Sequence, residues 1–215
     1  MKFLSYLLDL FFPPKCVFCG RVLHSADDEW CEKCTEALPF TDYGGTQDGD
    51  YFDYCVSPLY YKGVVRKSLL RYKFRNAPEY AQLYGKLLAD CVIEHPDVSY
   101  DIITWVPLSG KRMRSRGYDQ AMLLAQSTAL NLDDVAVEIL KKPHDIQAQS
   151  DLSGIAERRA NISGAYVVPD QELVDGKAIL LIDDIITTGA TLSECSKVLL
   201  EAGACKVICA TLARK

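Results

Sequence analysis

The stretch Leu180 to Thr191, reading LLIDDIITTGAT, constrains the fold of this 215-residue chain more than any other. Ala178 to Ile182 is an unbroken apolar run, the pattern of a strand buried on both faces. Asp183 and Asp184 follow at its carboxyl end, and Thr187, Thr188, Gly189, Ala190 and Thr191 turn the chain. Leu192, Cys195, Val198 and Leu199 then recur at helical spacing, with Gly203 placed to stop the helix. Such a helix start offers unpaired backbone N–H groups and the positive end of the helix dipole to an anion. The threonine hydroxyls add donors, and Gly189 allows a close backbone approach or a positive φ. Carboxylates beside a phosphate site repel the ligand unless they face sugar hydroxyls or a magnesium ion. A plain strand-turn-helix with a capping Thr is the alternative that these residues leave open.

The stretch resembles the 5-phosphoribosyl-1-pyrophosphate motif of type I phosphoribosyltransferases over its whole length, apolar strand included. The resemblance implies that Asp183 and Asp184 bind the ribose hydroxyls as the catalytic acids. It also implies that Thr187, Thr188, Gly189, Ala190 and Thr191 wrap the 5′-phosphate, and that magnesium accompanies phosphoribosyl pyrophosphate.

Nine cysteines are many for this length, and four of them form the pairs Cys16–Cys19 and Cys31–Cys34. Two residues between the members of each pair turn both sulfurs toward one ion, and two such pairs complete the closed tetrahedral site of structural zinc. Redox dithiols and unrelated buried cysteines are the other readings. The pattern suits a reducing compartment, and the expected location is the cytoplasm. Cys195, Cys205 and Cys209 fall in elements whose inward faces would hold them as small core residues. Before the pairs, Phe3, Leu4, Leu7, Leu8 and Phe11 share one face of a short amphipathic helix, too short to span a bilayer and without a basic polar face. It is expected to pack on the protein itself or on a partner. Residues 38–50 turn to Pro, Gly, Thr and Asp, the composition of a linker or long loop. The expected division is therefore 1–50, amphipathic helix and zinc module, and 51–215, the main domain. A formal net charge of −5 gives no general affinity for nucleic acid, so local basic clusters must supply it.

Lys62 to Arg75 is such a cluster, with Val65, Leu69 and Tyr72 on one helical face. Two readings stand side by side. One is a solvated amphipathic helix. The other is a single-stranded DNA surface in which Arg66, Lys67, Arg71 and Lys73 track phosphates while Tyr72 and Phe74 stack on bases. Tyr80 to Ile93 reads as a second helix, Ile102 to Val106 as a strand, Tyr118 to Leu130 as a helix and Val135 to Leu140 as another strand. Between the first of these strands and the helix after it lie Pro107, Leu108, Ser109, Lys111, Arg112, Arg114 and Arg116. Basic residues there sit where open α/β sheets bind ligands. Residues 142–164 form a long polar stretch, the mark of a lid or binding loop.

Taken together, the four-cysteine module, the Tyr72-Lys-Phe74 helix, Val106-Pro-Leu with Arg112-x-Arg114-x-Arg116-Gly117-Tyr-Asp-Gln120, and Arg159-x-Asn161-x-Ser-Gly164-Ala-Tyr166 ahead of Asp183-Asp184 resemble the ComF family. Members of the ComFC type are implicated in handling incoming single-stranded DNA during natural transformation. Departures are Ser109, where the family often has His, and Tyr118-Asp119, where it often has Phe-Asn. The resemblance implies an α/β fold of the type I phosphoribosyltransferase kind, with a mostly parallel sheet flanked by helices and preceded by the zinc module. It places pyrophosphate at Pro107, Leu108, Ser109, Arg112 and Arg116, and makes Arg158 and Arg159 catalytic residues of a loop that closes over it. The expected function is a competence-associated protein that handles single-stranded DNA alongside other transformation proteins and binds phosphoribosyl pyrophosphate or a nucleotide-like ligand. A transferase moving ribose 5-phosphate to an acceptor, and a sensor that changes partners on binding phosphoribosyl pyrophosphate, are its rivals.

Overall fold

The computed structural model describes residues 13–25, 28–42, 45–143 and 164–215. The expected amphipathic helix over 1–12 and the loop arginines Arg158 and Arg159 lie outside the described residues.

Six strands form one sheet. They are β1 (Thr46–Gln47), β2 (Cys55–Val56), β3 (Leu59–Tyr60), β4 (Ile102–Trp105), β5 (Ala178–Ile186) and β6 (Lys206–Arg214). Their order is β1-β2-β6-β5-β4, with β3 also paired to β6. β1 runs antiparallel to β2, and every other pairing is parallel. α1 (Glu32–Ala37) precedes the sheet, and the crossovers that parallel strands need run through α2 (Gly63–Phe74), α3 (Tyr80–Ile93), α4 (Gly110–Arg116), α5 (Gln120–Asn131) and α6 (Ala190–Glu201).

Alternation along the two central strands sorts the core into two faces. Leu180, Ile182, Ile208, Ala210 and Leu212 join a cluster with Leu69 and Tyr72 of α2, Leu88 of α3 and Leu124 of α5. Ile179, Leu181, Val207 and Cys209 join the other, with Leu192, Cys195 and Leu199 of α6. Residues buried on both faces explain why these strands read as continuous apolar runs. α3 and α5 cross closely at Gly85, where an added Cβ would stand 2.6 Å from the backbone carbon of Ser127.

The zinc module shares the first core. Cys16, Phe18 and Cys34 are buried in it, and Phe18 meets Trp30 edge-on at 5.9 Å and Tyr84 at 6.2 Å. α2 fastens the first cysteine knuckle: Ser68 Oγ donates to the carbonyl of Val17, and Arg71 Nη2 donates to those of Val17 and Phe18 at 2.9 and 2.7 Å.

Several expectations change. The expected linker over 38–50 is stitched to the sheet edge: Phe40 bridges Leu59, Thr41 Oγ1 donates to the carbonyl of Ser57, and β1 pairs with β2. The expected strand Val135 to Leu140 makes only a bridge from Ala136 to Ile103, because Val135 and Val137 turn outward and only Ile139 and Leu140 are buried. β5 runs past the expected end at Ile182 to Ile186, since Asp183, Ile185 and Ile186 keep their register with β6. Cys205 is exposed rather than a core residue, lying in the turn before β6.

Candidate functional site

The carboxyl ends of β4 and β5 lie side by side, with Trp105 paired to Ile182. Val106 donates its N–H to the Ile182 carbonyl at 3.0 Å, so the loop after β4 leaves the sheet beside Asp183. Ser109 caps α4 by accepting the Arg112 N–H, and Gly117, with φ of 82°, ends that short helix. Asp119 is buried and fixes the same loop from the far side. Its carboxylate accepts the N–H of Leu108 at 3.0 Å and, as the cap of α5, that of Met122 at 3.1 Å. Burial raises its carboxyl above the ordinary aspartate range, against the pull of those bonds.

The two loops enclose a cavity of about 430 Å³. Asp183, Asp184, Thr187 and Thr191 line it from the β5 side, and Pro107, Leu108, Ser109, Arg112 and Arg116 from the β4 side. Thr188, Gly189 and Ala190 line a smaller adjoining hollow at the start of α6. Gly189 has φ of 74°, a left-handed turn that other residues adopt only with strain, and it opens α6, whose Ala190 N–H donates to Thr188 Oγ1 at 3.5 Å. Anion-binding groups and carboxylates thus meet in one site, with Asp183 lining both hollows.

Asp183 is the most perturbed acid. Burial first, then the charge of Asp184, push its carboxyl up to about 7, while Lys73 pulls the other way. Its Oδ1 accepts the Asp184 N–H at 2.8 Å. Asp184 is buried and pairs with Lys73, Nζ to Oδ1, at 2.8 Å.

Lys73, Lys142, Tyr166, Gln120 and Tyr61 also line the cavity, and none of them was assigned to it from the sequence. Arg116 donates to Gln120 Oε1 at 2.6 Å, and Lys142 Nζ donates to the Tyr166 hydroxyl at 3.2 Å. Asp119 was readable in principle, as an Asp three residues before Met122 is a capping signal. Tyr166 stood in a stretch that entered the family resemblance without a role, and Lys142 carried no local signal.

The DNA-facing set on α2 divides. Tyr72 is a correction: it is fully buried, its hydroxyl donates to the Gln120 carbonyl at 2.8 Å, and no base can reach its ring. Arg71 is committed to the cysteine knuckle and Lys73 to Asp184, so neither is a phosphate-tracking side chain. Helical spacing puts residues 68, 71 and 72 toward the protein, and a long Lys73 reaches round to the sheet end. Arg66 and Lys67 are exposed, and Phe74 is 64% exposed with the Arg116 guanidinium 5.2 Å from its ring centre. Lys67, Leu70, Phe74 and Arg75 border an open groove of about 450 Å³.

The Sγ atoms of Cys16, Cys19, Cys31 and Cys34 all lie within 4.8 Å of one another, and those of Cys19 and Cys31 are 3.5 Å apart. A tetrahedral site with Zn–S bonds of about 2.3 Å needs sulfurs about 3.8 Å apart, so the donor set fits zinc. Burial opposes ionisation of Cys16, but the backbone groups of Cys19 and Cys31 outweigh it and bring its thiol down to about 7. The acids fit magnesium less well: Asp184 is engaged by Lys73, and among the described residues only the four cysteines group as metal donors.

Comparison with known proteins finds two domain matches. A phosphoribosyl transferase domain matches residues 114–215, and a double zinc ribbon domain matches 7–44. The ribbon match and the four-cysteine cluster together support structural zinc. Competence protein F of Haemophilus influenzae is 28% identical over 90% of this chain and 93% of its own length. The chain is thus similar to competence proteins of the ComF kind over nearly its whole length. Two Competence proteins ComFC, from Streptococcus pneumoniae and Bacillus subtilis, are 28% and 29% identical over 67% and 66% of this chain, covering 60% and 56% of their own lengths. Among solved structures, glutamine phosphoribosylpyrophosphate amidotransferase from B. subtilis overlaps 65% of this chain and 30% of its own, with 21% identity and a TM-score of 0.46. The fold is a mixed α/β phosphoribosyltransferase type with a mostly parallel sheet behind a zinc ribbon. No helix among the described residues is long and apolar enough to cross a membrane.

Proposed function

We propose that this chain binds phosphoribosyl pyrophosphate or a nucleotide-like ligand between the β4–α4 loop and the β5–α6 turn, and serves natural transformation as a cytoplasmic competence protein that handles single-stranded DNA with other transformation proteins. The observation that carries the reading is the convergence of Asp183, Asp184, Thr187 and Thr191 with Arg112 and Arg116 in one cavity. A ribose phosphate matches that distribution, with hydroxyl donors for the acids and a phosphate for the α6 start and its threonines. Pyrophosphate would lie against Arg112 and Arg116. The competence role is supported by the names of the relatives, and by a 34% identical DNA utilization protein YhgH of Escherichia coli O157:H7 that aligns with 52% of this chain. DNA would run over Arg66, Lys67, Phe74 and Arg75, with the Phe74 ring as the stacking surface.

Calorimetry with phosphoribosyl pyrophosphate, repeated with a short single-stranded oligonucleotide as competitor, tests the proposal. Saturable binding that the oligonucleotide weakens is expected. No heat with either ligand would overturn it. A second reading, transfer of ribose 5-phosphate to an acceptor, is favoured by one observation: Asp183, in the cavity, has a carboxyl poised near neutrality, where a proton acceptor works best. Pyrophosphate release in the presence of bases or amines would establish it.

A further inference from the structure

Sequence patterning assigns Lys73 to a DNA surface and Asp184 to sugar hydroxyls and magnesium, yet the structure pairs the two. Lys73 is the second-last residue of α2, and its ammonium enters the cavity to stand 2.8 Å from Asp184 Oδ1. The side chains are 19% and 10% exposed, so the pair is shielded from most of the solvent. Asp183 lies beside it, its Oδ1 already receiving the Asp184 N–H.

We infer that Lys73 is the resident cation of this site, neutralising Asp184 so that phosphoribosyl pyrophosphate binds without a divalent metal ion. The inference rests on the reading of the cavity as a phosphoribosyl site.

Three observations converge on it. Lys73, Arg112, Arg116 and Lys142 line the cavity against two acids, Asp183 and Asp184. The wall is therefore basic even with both carboxylates ionised, and a polyanion meets net attraction. A divalent ion on the second oxygen of Asp184 would stand beside the Lys73 ammonium, and the two cations would repel in a shielded site. Lastly, Asp183 already spends Oδ1 on the Asp184 N–H, so the two acids keep few free oxygens for a metal ion.

The fixed ammonium leaves Asp184 its second oxygen for a sugar hydroxyl. It also ties ligand recognition to the end of α2, the helix that grips the cysteine knuckle through Ser68 and Arg71.

The test is calorimetry of the whole zinc-loaded protein with phosphoribosyl pyrophosphate, in magnesium and in resin-treated, magnesium-free buffer, which spares the zinc. Wild-type affinity should agree between the two within about twofold, a difference of under 1 kcal/mol. Lys73→Gln should bind about tenfold or more weakly in the magnesium-free buffer and recover partly when magnesium is added. Lys73→Arg, which keeps the charge, should stay metal-independent. Wild-type binding only with magnesium would overturn the inference and leave the cavity reading standing. No wild-type binding in either buffer would overturn both. A Lys73→Gln protein with a lowered melting temperature and unchanged metal-free affinity would show that the pair merely clamps α2 to β5, and would also overturn it. Should Lys73→Gln fail to fold, the wild-type comparison and Lys73→Arg still decide.

Discussion

Asp183 concentrates the conflict between charge and burial. Its carboxyl is raised from 3.8 to about 7, so the folded protein holds that proton more tightly than the unfolded chain does. The group's contribution to stability is therefore complete below about pH 4 and is lost as pH rises through about 7. Asp183→Asn should melt above the wild type at about pH 8, and the gap should close at about pH 4; thermal melts at both values check this. The gain should come with a loss of recognition. Replacing Asp183 and Asp184 together by Asn removes charge-assisted acceptors for hydroxyls, each about 1.5–3 kcal/mol, and calorimetry should read well over a tenfold fall in affinity. Tyr72 and Phe74, two residues apart, should part company under mutation. Tyr72→Ala opens a hole in the core and should cost about 3–5 kcal/mol in denaturant unfolding. Phe74→Ala should leave stability nearly unchanged and weaken oligonucleotide binding by about 1–3 kcal/mol. Unequal burial of these rings was invisible in the sequence, because both fit an aromatic helix and only packing against Gln120 and Tyr84 decides which one is covered.

At the scale of elements, α2 performs two tasks that its basic composition conceals. Arg71 donates to the carbonyls of the first knuckle, and the exposed Arg66, Lys67 and Arg75 face outward. Arg71→Ala should hasten zinc loss to a chromogenic chelator while leaving the salt dependence of DNA binding intact. Arg66→Ala with Lys67→Ala should flatten that salt slope, by about 0.7 for each DNA phosphate no longer neutralised, and spare the zinc. Fluorescence titrations across salt concentrations separate the two cases. The strand-acid-threonine turn and both cysteine pairs were legible because each is a short motif whose spacing sets its own geometry. α3 was legible to the residue, its apolar period running unbroken from Tyr80 to Ile93. Meetings across the fold were not. Lys73 reaches Asp184 and Asp119 reaches Leu108 only after the sheet brings distant segments together, and no local pattern encodes such encounters. Nor did composition reveal that Thr46 and Gln47 extend the sheet, since two residues carry no period.

Across the whole molecule, the zinc module is held by the same core that carries the cavity, as Cys16, Phe18 and Cys34 are buried with Leu69, Tyr72 and Tyr84. Cys16→Ser should lose the metal and most soluble protein. Stripping zinc should lower one common melting transition rather than split off a separate one, which calorimetric scans with and without chelator will reveal. The sheet order has a consequence in time. β6 is the last strand in the chain, yet it lies between β5 and the pair β2 and β3, with Cys55 facing Cys209 across most of the sequence. Until residues 206–214 leave the ribosome, β5 has one apolar edge without a partner, and β2 and β3 have no neighbour from the main sheet. The central pairing therefore cannot form until β6 itself has been made. The growing chain carries an open β edge that invites pairing with other chains.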